Sequence, residues 1–183
     1  MKRNIAIVLA LGALHSAAQA GFQAYSGIAG NYSAFGLSSG VIGLDDYGTI
    51  IASPTFQLET LKFVGGVGAA GNQLRFDFYD KNTSFVNSTT VTFANAGDFI
   101  YTITLANGFF IANQGFMQVT TVGNATGRWF FTDTAPAVGF NSVNVGTGST
   151  LNPPRNNAFE FNAVPEPGTV AAVGLGALLL VAR

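Results

Sequence analysis

The 183-residue chain has no cysteine, and its single histidine, His15, sits in an apolar N-terminal run that reads as a removable leader. The body is left without thiol or imidazole. Ser-His-Asp and Cys-His nucleophilic sites depend on an imidazole to take the proton from the attacking atom, so neither can be assembled. Zinc centres lose their usual ligands, and no disulfide can brace the fold even in an oxidising compartment. Charge is scarce as well, at 9% of residues. Between residues 21 and 163 the cations are Lys62, Arg75, Lys81, Arg128 and Arg155. The acids there are Asp45, Asp46, Glu59, Asp77, Asp80, Asp98, Asp133 and Glu160, so 5 against 8 gives a net charge of −3. Scattered cations make no basic stripe to neutralise phosphates, which argues against a nucleic-acid partner. The surface must be mostly neutral and polar, and any chemistry must run on carboxylates, hydroxyls, amides and aromatic faces.

Long hydrophobic runs are confined to the two ends. Met1-Lys2-Arg3 places positive charge ahead of the apolar run Ile5 to Leu14, and Ala18-Gln19-Ala20 is a small-x-small cleavage site. Together these read as a secretory signal peptide over 1–20, handled by the Sec machinery and signal peptidase, with Gly21 as the first residue left. At the other end, Val164-Pro165-Glu166-Pro167-Gly168 leads into an apolar stretch that begins at Thr169 and Val170, continues through Leu175, Leu178, Leu179 and Leu180, and ends on Arg183. A helix needs about 20 apolar residues to cross a bilayer. This stretch is therefore a marginal span or a segment destined for removal.

The tail resembles the PEP-CTERM sorting signal of Gram-negative surface proteins, with Pro165, Glu166 and Pro167 matching the motif position by position. Where that family usually ends in a cluster of basic residues, this chain has Arg183 alone. The resemblance implies processing by an exosortase-like membrane peptidase after a transient stay in the inner membrane. It also implies a destination in the cell envelope or extracellular matrix, among bacteria that make exopolysaccharide, biofilm or floc.

The body between these ends carries period-two patterning. In Gln73 to Asp80, Leu74, Phe76 and Phe78 fall on one side, and Gln73, Arg75, Asp77 and Tyr79 on the other, as in a half-buried strand. Phe99, Tyr101, Ile103 and Leu105 share a face opposite Thr102 and Thr104. Further strands are expected at Phe22 to Tyr25, Thr49 to Ala52, Thr55 to Val64, Phe85 to Phe93, Gly115 to Val122, Gly127 to Thr132 and Ala158 to Asn162. Gly65-Gly66, Gly71-Asn72, Asn95-Ala96-Gly97 and Asn107-Gly108 read as turns, because Gly and Asn tolerate positive φ. The rest of Gly21 to Asp46 reads as a loose loop, and Val143 to Asn157 as a long exposed one. The expectation is an all-β antiparallel β-sandwich or jelly-roll-like domain over 21–162. An N-terminal signal helix and a C-terminal apolar helix, within 163–183, flank it.

Candidate sites are few. Asp77 and Asp80 lie three apart on one strand and point to opposite faces, so surface ion pairing and turn formation suit them better than the paired acids of a glycosidase. Asp45 and Asp46 offer oxygen ligands to a loop-held calcium ion, though without EF-hand spacing. Trp129, the only tryptophan, shares a face with Phe131; exposed, it would stack on a sugar, but the apolar run Trp129-Phe130-Phe131 favours a core position on a strand covered on both sides. Asn31, Asn82, Asn87 and Asn124 have sequon spacing that reflects an Asn/Thr-rich composition. The threonines are too dispersed for the flat array of an ice-binding face. The expected function is that of an exported, non-catalytic sandwich linked to exopolysaccharide, without a resident cofactor. A carbohydrate-binding module is the alternative, and a carboxylate-dependent glycoside hydrolase comes behind it.

Overall fold

The computed structural model describes residues 21–141 and 156–164. The expectations at 1–20 and at Pro165 to Arg183, including both flanking helices, lie outside the described residues, as does the expected exposed loop over Val143 to Asn157 except for Asn156 and Asn157, which are buried in a short strand rather than exposed. In chain order the strands are β1 (Phe22–Ser26), β2 (Tyr32–Leu37), β3 (Gly43–Gly48), β4 (Thr55–Val67), β5 (Gln73–Asp80) and β6 (Phe85–Thr92). They continue with β7 (Gly97–Thr104), β8 (Phe110–Ala112), β9 (Gln114–Thr121), β10 (Gly127–Thr132), β11 (Asn156–Asn157) and β12 (Phe159–Ala163). The fold is all-β, built as two antiparallel sheets.

The long strand β4 is the spine of the eight-stranded sheet. One edge of β4 carries β7, from Thr60↔Thr104 to Val67↔Gly97, and then β8 opposite Thr55 to Gln57. The other edge carries β12 along Leu58 to Phe63 and β10 at Gly65 to Val67. Outside these lie β1, paired with β12, and β2, paired with β10. The second sheet runs β3-β9-β5-β6. Residues 137–140 stitch the sheets together at one side: Ala137 N–H donates to Ser26 O, and Phe140 N–H donates to Gly48 O at 2.9 Å.

Aromatic rings from both sheets fill the space between them. Leu74, Phe76 and Phe78 of β5 are buried as their alternation requires. Phe76 packs against Phe63 of β4 at 5.1 Å between ring centroids, and Phe63 stacks on Trp129 of β10 at 5.3 Å. Further along, Tyr47 of β3 meets Phe161 of β12 edge-on at 4.8 Å. Each such ring buries on the order of 150–250 Å², which at about 25 cal/mol per Å² supplies the cohesion that no disulfide provides.

Four expectations are corrected. The segment over Gly21 to Asp46 is not a loose loop, because it holds β2 and β3 as well as β1. Thr49 to Ala52 is not a strand: the Thr49 hydroxyl accepts the Ile51 N–H and the Asn113 amide donates to Ile51 O, so side chains take the bonds that a ladder would use. Gly65-Gly66 is not a turn, since β4 runs straight through it. The strand holding Trp129 is open on its outer side, where Arg128 is exposed and Phe130 half-buried, although Trp129 and Phe131 themselves are core.

Candidate functional site

Strand β3 turns Gly43, Asp45 and Tyr47 toward the other sheet. Asp45 is fully buried, 0% exposed, and its Oδ2 accepts the indole N–H of Trp129, also 0% exposed, so the bond crosses from one sheet to the other. Gly43 packs against the indole: a Cβ placed there would rest in ordinary van der Waals contact, 3.4 Å from the nearest ring atom. Asp45 Oδ1 has no hydrogen-bond partner among the described residues. Burial pushes the Asp45 carboxyl up to about 7; the Trp129 N–H works against that rise, and the neighbouring Asp46 charge adds to it. Burial, together with the charges of Asp45 and Asp46, likewise holds the Tyr25 phenol above its ordinary range, against a hydrogen bond to Asn157.

Trp129 holds the core position that its apolar run favours, whereas the loop-held calcium role weighed for Asp45 and Asp46 does not fit where they lie. The two acids occupy successive positions of a strand, so their side chains leave on opposite faces, and both are buried; they do not open together as a calcium loop. Trp129 has no free ring face to offer a sugar. Among the described residues no three of His, Cys, Asp and Glu come together. Asp46 lies beside Asn157, whose side-chain amide donates to the Asp46 backbone carbonyl.

The remaining candidates lie elsewhere. Asp77 accepts Arg75 Nε at 2.7 Å on the outer face of β5, while Asp80 Oδ1 accepts the N–H groups of Asn82 and Ser84 in the turn after it. Asn31 donates through its backbone and its side chain to Asp133, at 2.9 Å in both cases. Those bonds hold the Asp133 carboxyl below its usual range. Asn87 donates to Phe110 O, and Asn124 lies exposed in the turn before β10. Gly21 is exposed at the head of β1, and Val164, just past β12, donates its N–H to Gln57 O. Phe22 and Ala163 face each other across the β1–β12 ladder, so the N-terminal and C-terminal segments leave from one corner of the body.

A surface constellation emerges only when the strands are put in register. On the outer face of the four-stranded sheet, Phe116 of β9, Tyr79 of β5 and Phe85 of β6 stand in one cross-strand row. Tyr79 stacks on Phe116 at 4.8 Å with a 7° tilt and meets Phe85 edge-on at 5.8 Å. Phe116 is nearly covered and Tyr79 is half-buried, whereas Phe85 is 56% exposed. The next row holds Gln118, Asp77 and Ser88, and the one after it Thr120, Arg75 and Thr90. Beyond them, Gln73 Nε2 donates to Thr92 Oγ1 at 2.8 Å. The Arg75–Asp77 ion pair neutralises the charges of the two rows beside the aromatic one, and Asp46 of β3, opposite Phe116, is buried. The result is an aromatic ledge beside a neutral field of hydroxyls and amides. Composition points to such a surface, but Phe85 and Phe116 carry no local sign of it, because only the pairing register brings them beside Tyr79.

No family model, curated protein or solved structure matches this chain.

Proposed function

We propose that the chain is the precursor of an exported, non-catalytic β-sandwich that holds neutral polysaccharide at the cell envelope or in the extracellular matrix. The observation that carries this reading is the outer face of the four-stranded sheet. A sugar ring offers apolar C–H faces and a belt of hydroxyls; the exposed Phe85 beside Tyr79 suits the first, and Gln118, Ser88, Thr90 and Thr120 suit the second. A ligand with no charge leaves the Arg75–Asp77 pair undisturbed and needs no cationic partner. Asp77 on this face is engaged by Arg75, and Asp80, at the turn after β5, accepts backbone N–H groups.

Export is the second half of the proposal. It rests on the signal-peptide pattern of 1–20 and on the resemblance of Val164 to Arg183 to a sorting tail read by an exosortase-like peptidase. Both segments join the body at the same corner, next to the Phe22↔Ala163 pair. In the native host, mass spectrometry of the processed protein is expected to give Gly21 as the N-terminus and a C-terminus that depends on the exosortase; an intact 183-residue chain in the cytosol contradicts export. A glycan array tests the body. The wild-type chain is expected to retain neutral glycans, with Phe85→Ala losing about tenfold in affinity, about 1.4 kcal/mol, at unchanged melting temperature, as expected for one stacking ring. Equal retention by Phe85→Ala removes this face as the site.

A further inference from the structure

Strand β7 lies at the edge of the eight-stranded sheet, paired with β4 and with no other described strand. The phase of its hydrogen bonds follows from one bond just past its end: Leu105 N–H donates to Glu59 O at 2.9 Å. In an antiparallel ladder the bonded pairs alternate, so Phe99, Tyr101 and Ile103 bond toward β4. Asp98, Ile100, Thr102 and Thr104 direct their N–H and C=O groups away from it. The phase is consistent with Val64, opposite Ile100, which gives its own N–H to Ala158 on the far edge of β4.

This edge lacks the devices that usually keep edges from pairing. Its register with β4 runs without a shift from Gly97 to Thr104, and the segment contains no lysine and no proline. Its single charge, Asp98, is taken up by Arg128 at 3.1 Å. Phe99 is 51% and Ile100 53% exposed, so both faces of the strand present apolar surface. Two edges of the four-stranded sheet are managed. The ladder of β6 with β5 shifts register beside Phe85, and Gly48 of β3 is tied to Phe140.

We propose that β7 is a self-association edge, on which a second copy of this chain adds antiparallel about a two-fold axis through Tyr101. A second copy is the occupant that the strand itself specifies. In this register Ile100 faces Thr102 of the second copy and Asp98 faces its Thr104, so the outward-directed groups are satisfied reciprocally and no like charges meet. On the opposite face Phe99 comes against Ile103 of the second copy, and the two Tyr101 rings meet. The half-exposed Phe99, already edge-on to Tyr101 at 5.8 Å, becomes covered. The two eight-stranded sheets join into one, and the glycan-facing sheet of each copy stays free.

The absence of cysteine from the chain makes the register directly testable. Full-length Ile100→Cys and Thr102→Cys are prepared separately, then oxidised mildly alone and as a mixture. The mixture is expected to give a disulfide-linked dimer several-fold above either variant alone, because positions 100 and 102 face each other. Two copies of position 100 lie diagonally, about 7–8 Å apart, beyond the reach of a disulfide. Association through the apolar tail would show no such register dependence. Equal yield in the mixture and the single samples, or no dimer in any, overturns the proposal. Both positions are exposed and tolerate the change, and circular dichroism checks that they do. A chain that sediments as a monomer at every concentration overturns it independently.

Discussion

Replacing Asp45 with Asn tests the interior of the fold through its pH dependence. In the folded chain the Asp45 carboxyl is pushed up from 3.8 to about 7, chiefly by burial, with the Trp129 N–H opposing the rise and Asp46 adding to it. Below about pH 4 both the folded and the unfolded chain hold this proton, and its contribution to stability is complete. Between about pH 4 and 7 the unfolded chain has released the proton while the folded chain keeps it, so stability falls as pH rises through that window and levels off above it. The gap, at about 1.4 kcal/mol per pH unit, bounds the loss at about 4 kcal/mol, or on the order of 10 °C in melting temperature for a body of this size. Asn keeps an acceptor for the Trp129 indole and cannot ionise. Its amide stands in for the protonated acid, with the same unpartnered position at Oδ1. Thermal melts of wild type and Asp45→Asn from pH 4 to 8 are expected to diverge steadily with rising pH, the variant becoming the more stable of the two near neutrality. Other titrating groups, such as Asp133 with its lowered range, contribute equally to both curves and cancel in the difference. A difference that stays constant across the window refutes the buried, proton-holding state of Asp45.

Two further predictions concern packing. Phe76→Ala removes a fully buried ring that touches Phe63 and Trp129 and is expected to cost about 3–5 kcal/mol, read as a lower urea midpoint; an unchanged midpoint means the wrong face of β5 has been placed inside. Gly115→Ala is expected to cost about 1–3 kcal/mol, because a Cβ there would fall 1.9 Å from the Tyr79 carbonyl oxygen. The β5–β9 pair would have to spread, and the Tyr79–Phe116 stack would loosen with it, so a variant as stable as wild type contradicts the close approach of these strands.

The strands legible in the sequence are those whose own residues alternate. The bounds of β5 and β10 match their expected spans, Gln73 to Asp80 and Gly127 to Thr132, and the buried side of β5 is the expected one. Strand β3 was not legible, since Gly-Leu-Asp-Asp-Tyr-Gly carries two acids and two glycines, which individually disfavour strands. It becomes a strand because β9 supplies its ladder and because Asp45 finds the Trp129 indole across the interior. Gly65-Gly66 looked like a turn for the converse reason. There the glycines answer a close approach, since a Cβ on Gly66 would lie 2.8 Å from Gly97 O and one on Gly65 2.6 Å from the Phe63 ring. The aromatic row had a partial signal in Tyr79, already assigned to the polar side of its strand. Phe85 and Phe116 join it through long-range pairing, which leaves no mark in the local pattern.

The most direct test of a glycan-holding outer face is residue-resolved NMR during titration with a neutral oligosaccharide from the host's own matrix. Shifts are expected to concentrate at Arg75, Asp77, Tyr79, Phe85, Ser88, Thr90 and Gln118, and to leave Trp129 and Asp45 unmoved. Shifts gathered on the eight-stranded sheet, or none at millimolar ligand, contradict the account.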